Sequence, residues 1–365
     1  MSKKGRFKTQ YFDFGLLITV ILLLAFGMVM LYSTSAYNAT IKFGDGTHYV
    51  MRQFKAALLG FAMMYFFVKV DYRFWKRFAL LAYVASIILC IAVIFAGNEK
   101  YGASRWFSIG GINFQPSELA KVAVILLLAT LIGKSDTALK GSKNVLKVFG
   151  IIIPLVAVVA YNNLSTAVII LGITYIMLFV ASKETRVFVS FVFLAFVGVM
   201  AIIIFGQGYR MARIDAWQHP EKYDEGYQTL QALYAIGSGG LFGKGLGESF
   251  QKSFVPEAQN DMIFSIICEE LGIFGAICVI VLYLILIWRL MVIAINAKDK
   301  TGGFICVGVM AHIAIQVILN IGVVTNTIPN TGITLPFISY GGTSILILLS
   351  EMGLALGVSK YIEPK

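Results

Sequence analysis

Ionisable residues set inside long apolar runs mark where this chain could do chemistry. Glu118 and Lys121 lie three residues apart in one such run, so a helix would put them on the same face. Asp261 opens a second run, with Glu269 and Glu270 two to three turns further in, and Arg52 and Lys55 open a third. Charged groups in hydrocarbon are costly and point to function by default. A carboxylate at an apolar–aqueous boundary can serve as a general base, and nearby cations can hold an anionic leaving group. Each group also has a plain structural reading. Glu118 and Lys121 fit an ion pair tying helices together as well as they fit an anion-binding or catalytic cleft. Arg52 and Lys55 fit side chains snorkelling to an interface, and Asp261 fits a helix N-cap. Glu269-Glu270 has no such reading, so at least one must face a partner or a cavity. Glu351, deep in the last apolar run, is expected near the cytoplasmic interface with a structural role.

The elements that position these groups follow from composition. The chain has 365 residues, 58% hydrophobic and only 13% charged, against roughly 25% charged in ordinary soluble domains. That excludes a soluble globular domain, a disordered chain and a coiled coil, and leaves an all-α integral membrane protein. About 20 apolar residues cross the hydrocarbon core. Ten such spans are expected: Gly15 to Tyr32, then roughly 51–69, 78–96, 117–133, 147–162, 164–182, 187–206, 262–288, 303–325 and 336–358. Val148 to Ser182 is uncharged and too long for one crossing, and Asn162-Asn163 supplies the turn that divides it. Pro329, Pro336 and the polar run Thr325 to Thr331 divide Thr301 to Ser350 in the same way.

Ten spans put both termini on one side. Lys and Arg concentrate on that side, in the N-terminal segment with Lys3, Lys4, Arg6 and Lys8, and in the segments 69–77 and 134–147. By the positive-inside rule the termini are cytoplasmic, and the net charge of +11 reports topology rather than nucleic-acid binding. The chain is then a single polytopic domain, 1–365. One large extracytoplasmic loop, about 207–260, joins spans seven and eight, and loops of that length usually carry function. Within it, Tyr227 to Ile236 reads as an amphipathic helix on the membrane surface. The run Gly237 to Gly245 fails the ATP-binding phosphate-loop pattern, because Ser238 and Gly245 stand where Gly and Ser or Thr are needed. Backbone amides there could still hold a phosphate, and a flexible bend fits equally. Cys90, Cys268, Cys278 and Cys306 lie in apolar stretches without metal or disulfide spacing.

Three signatures carry a family resemblance. Gln115-Pro116-Ser117-Glu118-Leu119-Ala120-Lys121, preceded by Arg105-Trp106, is one. Pro256-Glu257-Ala258-Gln259-Asn260-Asp261-Met262-Ile263-Phe264, followed by Glu269-Glu270-Leu271-Gly272, is the second. Leu335-Pro336-Phe337-Ile338-Ser339-Tyr340-Gly341-Gly342-Thr343-Ser344 is the third. In order and spacing they resemble the SEDS proteins (shape, elongation, division and sporulation) over nearly the whole chain. Gly245 to Lys252 resembles the division and sporulation branch, FtsW and SpoVE, more than the elongation branch, RodA. One departure is Asn163, where many relatives carry Asp in Pro-Asp-Leu-Gly-Thr-Ala, so no role of that carboxylate transfers.

The resemblance implies a ten-helix peptidoglycan glycosyltransferase in the bacterial cytoplasmic membrane. It would polymerise lipid II, an undecaprenyl-pyrophosphate disaccharide-pentapeptide, into β-1,4 glycan for a division or sporulation septum. Asp261 matches the family's catalytic acid. Arg52, Arg105, Trp106, Glu118, Lys121, Glu270 and Ser344 are the expected substrate-binding residues. A divalent cation, Mg or Mn, could share the task of offsetting pyrophosphate charge, with no ligand set legible and no organic cofactor expected. The implied partners are a class B penicillin-binding protein transpeptidase and other divisome-type membrane proteins. The competing functions are a lipid II flippase and a scaffold that recruits a transpeptidase.

Overall fold

A computed structural model describes residues 11–100, 103–109, 112–134, 139–191 and 215–363. The elements are α1 (Phe14–Phe43), α2 (His48–Lys69), the short α3 (Tyr72–Trp75), α4 (Ala79–Ala96), strands β1 (Asn98–Lys100), β2 (Ala103–Ile109) and β3 (Ile112–Phe114), and α5 (Pro116–Gly133). They continue as α6 (Ser142–Asn162), α7 (Leu164–Ala181), α8 (Tyr227–Gly239), α9 (Ile263–Asn296), α10 (Lys300–Val324) and α11 (Gly342–Ser359). Eight of the described helices are long and apolar enough to span a membrane. The eight leave out α2, which carries Arg52, Lys55 and Lys69 yet packs along α11. The predicted seventh span, 187–206, lies almost wholly outside the described residues. The strands form a small antiparallel meander, β1-β2-β3, between α4 and α5, an addition to the helical architecture expected.

Burial sorts the helices. α5 and α11 lie at the centre, each with most of its membrane window covered by protein (78% and 83%), whereas α4 and α6 turn most of theirs outward (28% each). The termini share a face. The Asp13 carboxylate pairs with Arg289 near the end of α9 (2.6 Å), and the Asp13 N–H donates to Ser359 Oγ at the end of α11 (3.4 Å). The piece of α9 after Gly272, Ile273 to Asn296, alone rises roughly 36 Å at 1.5 Å per residue, enough to cross the hydrocarbon core, so the start of α9, with Asp261, lies at the opposite face.

Three departures from the expected spans have identifiable reasons. α1 runs on to Phe43 because Thr34, Ser35 and Thr40 return their hydroxyls to carbonyls four residues back, until Gly44 caps it in the left-handed region (φ 71°). α11 begins at Gly342 rather than 336. The preceding stretch is buried irregular backbone, with Phe337 at φ 65°, and the protein supplies its partners. Gln53 Nε2 donates to Ser339 O (2.9 Å), and the Tyr340 N–H donates to Gln259 O (2.9 Å). Non-helical backbone at membrane depth persists only where protein satisfies it in this way.

The third departure is inside α9. Gly272 (φ 68°, ψ −167°) breaks the helix, and the glycine-rich segment after α8 threads the break. Lys244 N donates to Glu269 O (2.9 Å) and Gly245 N to Glu270 O (3.0 Å), while Ile273 N and Phe274 N donate back to Gly240 O and Leu241 O (3.0 and 3.1 Å). The segment Gly240 to Gly245, the part of the glycine-rich run beyond α8, is therefore a structural insert. A Cβ at Gly272 would collide with Leu241 O and Gly243 N. Gly272→Ala is expected to destabilise the detergent-solubilised protein by more than the ~1–3 kcal/mol of backbone strain alone. Gly237→Ala, inside α8 with open space around it, should be neutral or stabilising by up to about 1 kcal/mol. Thermal unfolding of the two variants beside the unmodified protein checks both.

Candidate functional site

Asp261 closes the irregular segment that leads into α9. The N-cap of α9 is Met262, and no side chain caps that end. The Asp261 carboxylate is therefore left to other contacts, against the N-cap reading. Gln228 Nε2, on α8, donates to its Oδ1 (3.3 Å), and Asn330 Nδ2 in turn donates to Gln228 Oε1 (2.9 Å). Asn320 Nδ2 donates to the Asp261 carbonyl (2.7 Å) and to Ile333 O (2.7 Å). The main influence on its ionisation is burial among protein atoms. Together with the negative charge of Glu257, burial outweighs the backbone and Gln228 hydrogen bonds and pushes the carboxyl up to about 6.

Asn320 is the outer end of a polar seam. His312, Gln316 and Asn320 recur every four residues on α10, so they share one face, and all three are buried. Gln316 Nε2 donates to Thr334 O (2.9 Å), and Gln316 Oε1 accepts from Lys121 Nζ (3.4 Å). Lys121 pairs with Glu118 (2.9 Å), and both are almost free of solvent. The Ser344 hydroxyl, at the start of α11, lies beside the Glu118 carboxyl. Deeper still, His312 Nδ1 meets the Glu351 carboxylate at 2.8 Å with both residues fully buried. That corrects the interfacial position expected for Glu351: a helix more than four-fifths enclosed by neighbours has no route by which this side chain could snorkel.

Glu269 and Glu270 face protein partners. Glu269 accepts from Lys244 Nζ (2.6 Å), from the amides of Phe250 and Gln251 (3.2 Å each) and from the Ser249 hydroxyl. Glu270 accepts from Ser33 Oγ on α1 (2.7 Å) and lies 3.8 Å from Lys252 Nζ. Both carboxylates are fully buried. They fasten the loop 238–252 to α9 and α1, and by that route they hold α8 and Gln228 over Asp261.

The remaining predicted residues flank this centre. Arg105, on β2, donates from Nε to Asn162 O (2.8 Å) and with Pro116 and Ser117 lines a small cavity of about 20 Å³ beside the start of α5. Trp106 is its neighbour on the same strand, paired with Asn98. Arg52 is exposed on the first turns of α2, within electrostatic reach of Tyr49, whose ring meets Tyr340 edge-on. Asn163 caps α7, accepting from Thr166 N (3.2 Å), a task a carboxylate would do equally well. The structure thus sets Asp261, Lys121 and Glu118 along one polar seam, with Ser344 beside Glu118. Arg52, Arg105 and Trp106 border it, and Glu270 lies in the loop anchor.

Sequence reasoning missed Gln228, His312, Gln316 and Asn320. A signal existed for the last three, since polar residues at four-residue spacing in an uncharged span make one polar face. Gln228 had none, because its importance depends on how the loop folds back. Among the described residues no group of three or more His, Cys, Asp or Glu could hold a metal ion.

A family model described as "Cell cycle protein", FTSW_RODA_SPOVE, matches residues 14–363. The chain is 38% identical over 358 residues to "Stage V sporulation protein E" of Bacillus subtilis (strain 168), covering 96% of this chain and 97% of that one. It is 37% identical over 363 residues to "Probable peptidoglycan glycosyltransferase FtsW" of Geobacter sp. (strain M18), covering 96% and 98%. Among solved structures it superposes on a chain from "Structural coordination of polymerization and crosslinking by a peptidoglycan synthase complex" with a TM-score of 0.82 at 26% identity, covering 95% and 97%. It superposes on the rod shape determining protein RodA of Thermus thermophilus with a TM-score of 0.72 at 26% identity, covering 97% and 98%.

The buried pair makes a prediction. Removing one partner of a desolvated ion pair leaves an uncompensated charge, worth about 3–5 kcal/mol. Glu118→Gln or Lys121→Met alone should therefore destabilise strongly, while the double change should cost much less than the sum. A double-mutant cycle on thermal stability reads the coupling, and simple additivity would count against direct pairing.

Proposed function

The chain belongs to the FtsW/RodA/SpoVE family of cell cycle proteins, and from that premise we propose that Asp261 is the general base of its peptidoglycan glycosyltransferase reaction. The observation that carries this is the setting of Asp261: a carboxyl raised to about 6, held by amide side chains on the face opposite the termini, next to a seam containing a buried ammonium. The substrate is lipid II. Its polyprenyl tail lies among the apolar helices and its disaccharide reaches the loop at the boundary. The face with Asp261 is extracytoplasmic, and the termini are cytoplasmic.

The chemistry follows from the groups present. An acceptor sugar hydroxyl attacks the anomeric carbon of the donor sugar, the bond to pyrophosphate breaks, and the hydroxyl proton passes to Asp261. A carboxylate near 6 is a stronger base than an ordinary one and is still mostly ionised at neutral pH. Gln228 and Asn320 fix its position. Arg52 and Arg105, at the rim, offset the charge of the leaving pyrophosphate. Asn260 Oδ1 and Asn320 Oδ1 are buried oxygens without a hydrogen-bond partner among the described residues, which suits a hard cation. Glu257 already accepts from Asn260 Nδ2 (2.7 Å) and Gln259 Nε2 (3.2 Å), so Mg²⁺ or Mn²⁺ would be held chiefly by substrate phosphates, with at most one of these amide oxygens. Such an ion, when bound, neutralises pyrophosphate charge. A class B penicillin-binding protein would crosslink the strand beside it.

Asp261→Asn should leave membrane insertion and thermal stability nearly unchanged and abolish polymerisation of purified lipid II. The change preserves shape and hydrogen bonding and removes only basicity, so near-normal glycan synthesis by this variant would refute the base role. A flippase would keep transporting lipid II with Asn at this position.

The pH dependence has a definite sign. The protonated form, which dominates below the raised value, cannot accept the hydroxyl proton. kcat/KM should therefore rise with pH through an apparent pKa of about 6 and level off above it. An inflection in the ordinary carboxylate range, near 4, would mean the carboxyl is solvated in the working enzyme. Cysteines placed singly at the exposed Ser238 and Glu248, in a background without the native cysteines, should react with a membrane-impermeant thiol reagent added outside intact spheroplasts. Reaction only after the cytoplasm is opened would reverse the orientation.

A further inference from the structure

On the face that holds the termini, a cavity of about 250 Å³ opens between the turn after α3, the end of α5 and the start of α10. Its lining is Lys76, Arg77, Thr130, Gly133, Lys134 and Thr301. Three of the six are cations and two carry hydroxyls. Among the described residues no acidic side chain lines it, and none of the three cations has an ion-pair partner within 4 Å, although Lys76 feels the Asp299 carboxylate at longer range. Acids do lie nearby, but they are occupied. Asp299 accepts from Tyr72 OH (2.6 Å), Arg73 Nε (2.8 Å) and Gly302 N (2.9 Å), and Asp71 pairs with Arg73 (3.8 Å).

Cations at this face would satisfy topology alone if they simply pointed into solvent. Here they converge instead. Lys76 and Arg77 come from the turn between α3 and α4, and Lys134 from the end of α5, more than fifty residues away in the chain. Gly133 brings the α5 end against the first turn of α10, since a Cβ there would meet the Thr301 hydroxyl. The space equals on the order of eight waters at ~30 Å³ each, enough for a phosphodiester and part of its glycerol. The surroundings favour a lipid over a free anion. Phe74 and Phe78 flank the two cations, are exposed (44% and 41%) and pack ring against ring (5.0 Å), with Trp75 against Phe74. Such aromatic groups mark the headgroup level of a bilayer, so acyl chains have an apolar wall directly beside the cavity.

We propose that this cavity is a binding site for the phosphate headgroup of an anionic glycerophospholipid from the leaflet that meets the terminal face. The site is separate from Asp261 and does not depend on the reaction assigned above. The recognition is phosphate against Lys76, Arg77 and Lys134, with the acyl chains along Phe74 and Phe78.

The test uses delipidated full-length protein in detergent and native mass spectrometry, with phosphatidylglycerol, phosphatidylcholine and inorganic phosphate as separate probes. The unmodified protein should retain phosphatidylglycerol in clear preference to phosphatidylcholine. Each neutralised cation should weaken that retention about five-fold, as for basic groups at an anionic surface, and the triple variant K76Q/R77Q/K134Q on the order of 100-fold. A triple variant of equal charge loss on the same face, K140Q/K143Q/K147Q, should retain the lipid. Thermal unfolding without lipid checks that each variant is folded, and the single variants carry the test if the triple one is not. Equal phosphatidylglycerol retention by the cavity variants and the unmodified protein would overturn the proposal. So would equal losses in the two triple variants, which would mean diffuse surface charge. Stabilisation by inorganic phosphate alone to the same extent as by phosphatidylglycerol would overturn the lipid assignment.

Discussion

A lysine ammonium with 1% of its surface exposed stands near the middle of the bundle. Lys121 cannot be solvated by lipid, so the helices around it must supply its partners. Glu118 does so from one turn away on α5, and Gln316 from α10. Ser344, on α11, lies beside the Glu118 carboxyl. α5 and α10 are thereby fixed in rotation as well as in position, because turning either of them would strand a charge in hydrocarbon. Apolar packing alone tolerates small slips of one helix along another. A buried charge does not, and the register of the core follows from it.

From that core, order is passed outward through amides. Gln316 and Asn320 hold the carbonyls of Thr334 and Ile333, so the irregular stretch between α10 and α11 is clamped along its length. Asn320 also holds Asp261, and the Tyr340 N–H holds Gln259. Two non-helical segments, 254–262 and 330–341, are thus fastened to each other and to the same helix face. Neutral amides suit this work: each offers a donor and an acceptor and brings no charge that would need its own partner in lipid.

Much of this was legible in the sequence. Span positions, the shared side of the termini and the need of Glu118 and Lys121 for partners follow from hydropathy, from charge distribution and from the cost of ions in lipid, while the role expected of Asp261 rests on the family resemblance. Three things were not legible, each for a physical reason. Hydropathy windows see composition and not dihedral angles, so the break at Gly272 and the irregular run before Gly342 both read as continuous helix. Glu269 and Glu270 were flagged correctly as needing partners, but those partners, Lys244, Ser249 and Ser33, come from distant segments that no local pattern connects to them. Glu351 was judged by its distance from the end of its span. Its actual environment depends on His312, thirty-nine residues earlier, on the opposite wall of the core.

The broken helix α9 has a mechanical consequence. Its outer piece, Ile263 to Leu271, is bonded to the loop by the Glu269 and Glu270 side chains and carbonyls. Its inner piece is anchored to Pro336 by Tyr283 and to Asp13 by Arg289. A continuous helix would transmit any tug on its outer end as a rigid rod, down to the far side of the membrane. Two rods joined at a glycine, with a foreign strand laced between them, behave differently: torque applied at the loop is taken up at the joint. Because the loop is bonded to both pieces, to Glu269 and Glu270 on one side and to Ile273 and Phe274 on the other, whatever presses on it acts at the joint itself and not along either rod.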